Sequence, residues 1–79
     1  MPTVLREDGF EVMIYTDDHE PPHVHVFYGG EDLIIGLENA NVRWARPSTK
    51  NSVIRKARKL IIKHQDFLMQ KWEEVRSGL

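Results

Sequence analysis

The sequence predicts an α+β fold, in which a small antiparallel meander sheet of three to five strands is followed by one long or bent C-terminal amphipathic helix packed on it. Apolar and polar residues alternate in short segments before residue 45, and after Pro47 the apolar period changes to about 3.6 residues. With 79 residues and no cysteine, the chain can form only a thin core without disulfide or thiolate–zinc support. We therefore expect one domain over residues 1–79, with strands over about 3–45 and the helix over about 48–77.

A hairpin in the middle of the chain is the strongest local prediction. Residues 24–28 alternate, Gly29 and Gly30 supply positive φ angles for a tight reversal, and residues 32–37 follow as the partner strand. Further strands are predicted from β-branched and aromatic residues over 3–6, 10–15 and 42–44.

A long helix is predicted after Pro47, with Ser48 or Thr49 as its N-cap and Gly78 at its end. An apolar stripe recurs at three- and four-residue steps and includes Val53, Ile54, Ala57, Leu60, Ile61, His64, Phe67, Leu68, Trp72 and Val75. A straight helix of this length would extend about 40 Å, which is long for so small a sheet. We therefore expect a bend or break near residues 64–66.

Four apolar or histidine residues have two interpretations each. Ile62 and Met69 fall together on the far side of the helix, either as scattered exposed residues or as a homodimer or partner face. Trp44 is flanked by arginines and either stacks on a nucleic-acid base or, as we expect, joins the core. His64 lies in the apolar stripe and is expected to be a buried structural histidine, unless the histidine loop folds back over the helix to meet it.

The charges are segregated along the chain. Residues 1–42 carry nine acids and one base, whereas residues 43–63 carry eight bases and no acid. Such a patch either attracts phosphate or forms an ordinary solvated helix face. The predicted nucleic-acid contacts are Arg43, Arg55, Lys59 and Lys63.

Membrane and secretory signals are not apparent in the sequence. The longest apolar run covers only residues 33–35, and the N-terminal residues lack a charged-then-apolar signal pattern. We expect a cytoplasmic protein with no membrane contact.

The most concentrated chemistry is the segment D-D-H-E-P-P-H-V-H over residues 17–25, which contains three of the four histidines. Pro21 and Pro22 fix the backbone and should make the loop stiff. If a strand begins by residue 23, His23 and His25 share one face of it.

Three interpretations of this segment remain open. In the first, His23 and His25 bind a divalent transition metal, with His19 as a third imidazole and Asp17 or Asp18 as the carboxylate. In the second, His19, His23, His25 and Asp18 form a metal-independent acid–base site like that of a small ribonuclease. In the third, hydrogen bonds of these residues only hold a stiff turn. The sequence indicates no other cofactor.

The motif D-H-x-P-P-H-x-H-V, over residues 18–26, together with H-x-D-x-L-x-x-x-W, over residues 64–72, resembles the prokaryotic domain of unknown function 4160. The resemblance covers nearly the whole chain. It implies a bacterial or archaeal protein without an established activity, encoded beside another short domain in a toxin–antitoxin-like arrangement. A cognate antitoxin or adjacent small protein is therefore an expected partner.

These observations lead to two expectations for function. The first is a toxin–antitoxin-like component that binds or cleaves RNA through its histidine-rich Pro-Pro loop. The second is a non-enzymatic module that binds a partner subunit, in which the loop is purely structural.

Overall fold

The computed structural model describes residues 3–78, which form a five-stranded sheet followed by two helices. The strands are β1 (Thr3–Glu7), β2 (Phe10–Met13), β3 (His23–Tyr28), β4 (Glu31–Gly36) and β5 (Val42–Ala45). The helices are α1 (Asn51–Lys63) and α2 (Gln65–Ser77). The predicted α+β class is confirmed.

The sheet is an antiparallel meander in the order β1-β2-β3-β4-β5, as predicted. Two-residue turns join β1 to β2 and β3 to β4, since Glu7 pairs with Phe10 and Tyr28 with Glu31. In the first turn both Asp8 (φ 52°) and Gly9 (φ 83°) have the positive φ that a tight hairpin requires. The connection from β2 to β3 is longer, and it carries the histidine-rich segment.

The core lies between one face of the sheet and the two helices. Alternate residues of the central strands point into it, and four residues of α1 and two of α2 cover them. The buried apolar side chains are Phe10, Val12, Ile14, Val24, Val26, Leu33, Ile35, Leu37, Ala40, Val53, Ala57, Leu60, Ile61, Leu68 and Trp72. Within residues 3–78 no polar or charged residue is fully buried, so the polar chemistry lies at the rim of this core.

The C-terminal region forms two helices rather than the one long or bent helix that the sequence predicts. The break lies at His64 (φ −112°, ψ 23°), within the residues 64–66 where the sequence predicts a bend or break. A straight helix over residues 51–77 would be about 40 Å long, whereas the protein extends 35 Å along its longest axis. Tertiary hydrogen bonds hold the break: His64 Nε2 lies 2.9 Å from Glu7 Oε1, and Gln65 Nε2 donates to the carbonyl oxygen of Leu37 at 2.6 Å.

The predicted N-cap residues are wrong, and the predicted end of the helical region is right. Lys50 occupies the N-cap without a side-chain hydrogen bond, because Ser48 and Thr49 belong to the preceding turn. Ser48 Oγ instead donates to the carboxylate of Glu31 at 3.0 Å. Gly78 ends α2 in the left-handed conformation, with φ 78°.

Several apolar side chains lie elsewhere than predicted. Trp44 is exposed on the edge strand β5 rather than buried, and Phe67 is exposed on α2 rather than part of the buried stripe. Ile62 is exposed, but Met69 packs partly against the core, so these two residues do not form one exposed face. Neither α1 nor α2 combines the length and apolarity that a membrane-crossing helix needs.

Candidate functional site

The segment before β3 is a tightly hydrogen-bonded loop. Two hydrogen bonds between Tyr15 and Asp18 close a turn at the start of this loop. The Asp18 N–H donates to the carbonyl oxygen of Tyr15 at 3.1 Å, and Asp18 Oδ2 accepts from the Tyr15 N–H at 3.0 Å. Pro22 is buried, and its carbonyl oxygen accepts from the Leu37 N–H at 3.0 Å. The Glu20–Pro21 peptide bond is cis. The loop is therefore anchored at both ends.

Three side chains of this region converge on one point. His25 Nε2 lies 3.2 Å and His23 Nε2 lies 3.5 Å from the same oxygen, Asp18 Oδ1. The side chains of Asp18, His23 and His25 are 12%, 13% and 23% exposed, so the cluster is sheltered but open to solvent. We refer to Asp18, His23 and His25 as the His/Asp cluster.

Strand alternation places the two imidazoles together. Val24 and Val26 are buried in the core, so His23 and His25 lie on the opposite face of β3. Their ring centroids are 5.4 Å apart, and the ring of Tyr15 meets His25 edge-on at 4.7 Å. The ring of Tyr15 therefore borders the cluster on one side.

Helix α2 contacts the cluster and the loop that carries it. The buried Trp72 ring lies 5.3 Å from the His23 ring, and its Nε1 donates to Glu20 Oε2 at 3.2 Å. One turn later, Arg76 Nη1 donates to the carbonyl oxygen of Asp18 at 2.6 Å. Both ends of the D-H-E segment are thus tied to the last helix.

The tautomer of His23 follows from its second contact. His23 Nδ1 lies 3.0 Å from the carbonyl oxygen of Pro21. Because a carbonyl oxygen only accepts, Nδ1 carries the hydrogen, and in the neutral ring Nε2 presents its lone pair towards Asp18. His25 Nε2 donates to Asp18 Oδ1 at 3.2 Å, whereas His23 Nε2 presents a lone pair to the same oxygen.

Among residues 3–78, the His/Asp cluster is also the group whose ligand atoms are close enough to hold one metal ion, all within 4.8 Å of one another. It contains three of the four predicted catalytic residues and both predicted metal ligands. The fourth predicted residue, His19, is exposed and its side chain makes no hydrogen bond within the described residues. Asp18, and not Asp17, supplies the carboxylate.

The predicted nucleic-acid contacts are divided between two places. Arg43 lies beside the cluster, where its Nη1 reaches the carbonyl oxygen of Pro21 at 3.4 Å. Arg55, Lys59 and Lys63 are exposed on α1. Lys59 and Lys63 border a cavity of about 390 Å³ near Tyr28, at the end of β3 that lies about 17 Å from His23.

That cavity combines charged and apolar walls. It is lined by Glu7, Asp8, Phe10, Tyr28, Lys56, Lys59, Leu60 and Lys63. The Phe10 and Tyr28 rings stack at 4.3 Å on its floor. Lys56 and Lys59 form no salt bridge within residues 3–78, whereas Lys63 is paired with Glu7 at 2.9 Å.

The paired charges at the helix break perturb one another. The hydrogen bond from Lys63, followed by that with His64, lowers the pKa of Glu7 below its ordinary value of 4.5. The same Glu7 contact raises the pKa of Lys63 above 10.5. His64 is thus half-buried and hydrogen-bonded to Glu7, away from the His/Asp cluster, in keeping with the structural interpretation.

Sequence reasoning missed two contributors to the site. The sequence places Trp72 in the core stripe and in the family motif but indicates no contact with the histidine loop, and it does not single out Arg76. Their spacing of four residues places them on the same helix face, but the sequence holds no signal that this face meets a loop 58 residues away.

A family model described as "Domain of unknown function (DUF4160)" matches residues 9–73, which include strands β2 to β5, the His/Asp cluster and the helix break. No curated protein and no solved structure matches the chain. Since the matched segment covers most of the 79 residues, the chain belongs to the DUF4160 family.

Proposed function

We propose that this protein binds RNA and cleaves its phosphodiester backbone at the His/Asp cluster, as one component of a toxin–antitoxin-like module. The observation that carries the proposal is that His23, His25 and Asp18 converge in a sheltered site with the exposed guanidinium of Arg43 at its rim.

The chemistry of RNA cleavage matches these groups. The 2′-oxygen attacks phosphorus as the bond to the 5′-oxygen breaks, so one proton must leave the 2′-hydroxyl and one must reach the 5′-oxygen. His23 and His25 transfer these two protons, either directly or through a bound water. Asp18 fixes the orientation of His25 through the 3.2 Å contact.

Arg43 supports the negative phosphate. A guanidinium has five N–H donors, and one of those of Arg43 is used on Pro21. The remaining donors face outward from an exposed side chain and are suited to two phosphate oxygens.

Lysines of α1 hold flanking phosphates in this proposal. Lys59 lies near Tyr28 on the helix side of the sheet, whereas His23 and His25 lie at the other end of β3 on the opposite face, so a strand that contacts both places passes around the sheet over several nucleotides. The half-buried ring of Tyr28, which is backed by the buried Phe10 ring, offers an aromatic surface for an unpaired base beside Lys59.

The experiment is a cleavage assay on labelled single-stranded RNA with tag-free protein. We expect His23→Ala to abolish cleavage while changing the free energy of unfolding by about 1 kcal/mol. His19→Ala is the matched control, because His19 lies in the same loop outside the cluster, and it should retain activity.

A second variant pair tests the phosphate contact. Arg43→Ala should impair cleavage more than Arg55→Ala, since Arg43 borders the cluster and Arg55 does not. Absence of cleavage and of salt-sensitive RNA binding in the wild-type protein would overturn the proposal.

Exposed apolar side chains favour a second candidate, a non-enzymatic module that binds a cognate antitoxin, another adjacent small protein or a second copy of this chain. Ile62 and Phe67 are exposed on either side of the helix break, and Val42 and Trp44 are exposed on the edge strand β5. Of Ile62 and Met69, the two residues that the sequence predicts for a homodimer face, Ile62 is exposed, whereas Met69 packs partly on the core.

This candidate predicts association that responds little to salt or tightens with it. Ile62→Glu should abolish it without loss of folding, as measured by size-exclusion chromatography with light scattering and by circular dichroism. Complete insensitivity of any complex to Ile62→Glu, Phe67→Glu and Trp44→Glu would exclude these surfaces.

A further inference from the structure

The His/Asp cluster has the donor chemistry of an open metal centre. Two imidazole nitrogens and one carboxylate oxygen are the ligands of catalytic zinc and of other divalent first-row metals that keep coordination positions open for water. The chain contains no cysteine, so thiolate-preferring sites do not compete for this ion.

The spacing of the donor atoms fits one ion between them. Metal–ligand bonds of about 2.0–2.2 Å place neighbouring ligand atoms about 3.0–3.5 Å apart in tetrahedral or octahedral arrangements. His25 Nε2 and His23 Nε2 lie 3.2 Å and 3.5 Å from Asp18 Oδ1, and all three ligand atoms lie within 4.8 Å of one another.

Two of the three ligands, His23 and Asp18, are oriented by a contact through the atom that faces away from the cluster. His23 is held through Nδ1 by the Pro21 carbonyl oxygen, which leaves Nε2 as the lone-pair atom. Asp18 is held through Oδ2 by the Tyr15 N–H, which leaves Oδ1 for the cluster. Ligands fixed in this way lose little conformational entropy when an ion binds.

A cation also resolves an electrostatic conflict. In its neutral form, His23 directs a lone pair at the negatively charged Asp18 oxygen across 3.5 Å, with both atoms sheltered from bulk water. A divalent ion between the two atoms turns this repulsion into two bonds.

We propose that Asp18 Oδ1, His23 Nε2 and His25 Nε2 bind one divalent first-row transition-metal ion, with water completing its coordination. Metal binding is independent of RNA, whereas its use in catalysis rests on the proposed function: with the ion bound, water on the ion would take over the proton transfer from the two imidazoles, and the ion would neutralise the phosphate. Arg43 then lies beside the metal as the second cation for the substrate anion.

The test begins with metal-stripped, tag-free protein and calorimetric titration with Zn²⁺. We expect one ion per chain, with a dissociation constant in the micromolar range or below. Co²⁺ should bind in the same place and produce visible d–d absorption, which reports nitrogen and oxygen coordination directly.

Ligand and control variants locate the ion. Asp18→Asn, His23→Ala and His25→Ala should each weaken Zn²⁺ binding by at least about ten-fold. His19→Ala and His64→Ala remove the two histidines outside the cluster and should leave binding unchanged. Asp18→Asn is close to isosteric and preserves the fold, which a circular dichroism melt of each variant checks.

Two outcomes would overturn the site: no stoichiometric binding by the wild-type protein, or binding that His19→Ala or His64→Ala removes as effectively as the cluster variants. The fate of the RNA proposal is separate. Zinc binding without RNA cleavage would support the metal site and exclude the proposed RNA cleavage. Cleavage that persists in excess chelator, in a protein that does not bind zinc, would support RNA cleavage and exclude the metal site.

Discussion

His23 and Arg43 donate to the same acceptor, the carbonyl oxygen of Pro21, through Nδ1 at 3.0 Å and Nη1 at 3.4 Å respectively. The two residues lie on strands β3 and β5, which are separated by β4. The Pro-Pro loop therefore sets the orientation of an imidazole and the position of a guanidinium with one backbone atom. A substrate phosphate at Arg43 would lie beside the His/Asp cluster for the same reason.

Burial of Trp72 should dominate the stability of α2. Trp72→Ala removes a fully buried aromatic side chain and is expected to lower the free energy of unfolding by about 3–5 kcal/mol. Phe67→Ala is the control, because Phe67 is an exposed aromatic residue on the same helix, and it should cost less than about 1 kcal/mol. Urea denaturation followed by circular dichroism measures both, and equal losses would contradict the assigned burial.

The Glu7 ion pairs should make stability dependent on pH at the acidic end. The pKa of Glu7 is lower in the folded state than its ordinary 4.5, so its contribution is fully present above 4.5 and is lost as pH falls through the folded value. Below about pH 5, the urea midpoint of Glu7→Gln should therefore decrease less with falling pH than that of the wild-type protein. Glu73→Gln, on the exposed side of α2, should leave the wild-type profile unchanged; an identical profile for both variants would refute the role of Glu7.

The two tight turns should respond differently to alanine. Gly9 has φ 83°, and an added Cβ would lie 3.2 Å from a Tyr28 ring carbon, so Gly9→Ala should destabilise by about 1–2 kcal/mol. Gly30 has no such φ and no atom within 4 Å of an added Cβ. Gly30→Ala should be neutral or stabilise by up to about 1 kcal/mol. Thermal melts compare the two variants, and a reversed order would mean that the first turn adopts another conformation.

The lysines of α1 should determine the salt dependence of RNA binding. If Lys59 holds a phosphate, Lys59→Ala should reduce the slope of log affinity against log salt by about 0.7, the value for one contact to a single strand. Lys71→Ala is the matched control, since Lys71 lies on α2 beside Phe67 and Glu74. Fluorescence anisotropy over a salt series gives both slopes, and an unchanged slope for Lys59→Ala would remove that contact.

The sheet could be predicted because its signals are local. Alternation in β2, β3 and β4 and paired turn residues such as Gly29 specify strands and reversals without knowledge of distant partners. The same is true of Gly78, whose left-handed conformation ends α2. By contrast, the apolar phase runs unbroken through His64, and only the excessive length of a single helix predicts a bend or break near residues 64–66; tertiary contacts to Glu7 and Leu37 fix the break at His64.

The sequence predicted most of the residue types in the candidate site, but not which of the residues come together. The spacing of His23 and His25 placed both on one face of a strand, but the sequence could not choose between Asp17 and Asp18 or exclude His19. Those choices depend on the turn that Tyr15 closes and on the contacts of Arg76, which are tertiary. Trp44 shows the same limit, since its exposure follows from the position of β5 at the sheet edge.

The ties from Trp72 and Arg76 to the Glu20 and Asp18 region imply that the histidine loop and the last helix open as one cooperative unit. In a hydrogen-exchange experiment, the Tyr15 amide, which is protected only by the Asp18 side chain, should therefore exchange together with the amides of α2 and faster than those of β3. Fraying at the C-terminal end of the chain would thus be transmitted to the cluster, and a ligand that orders the cluster would slow exchange in the last helix.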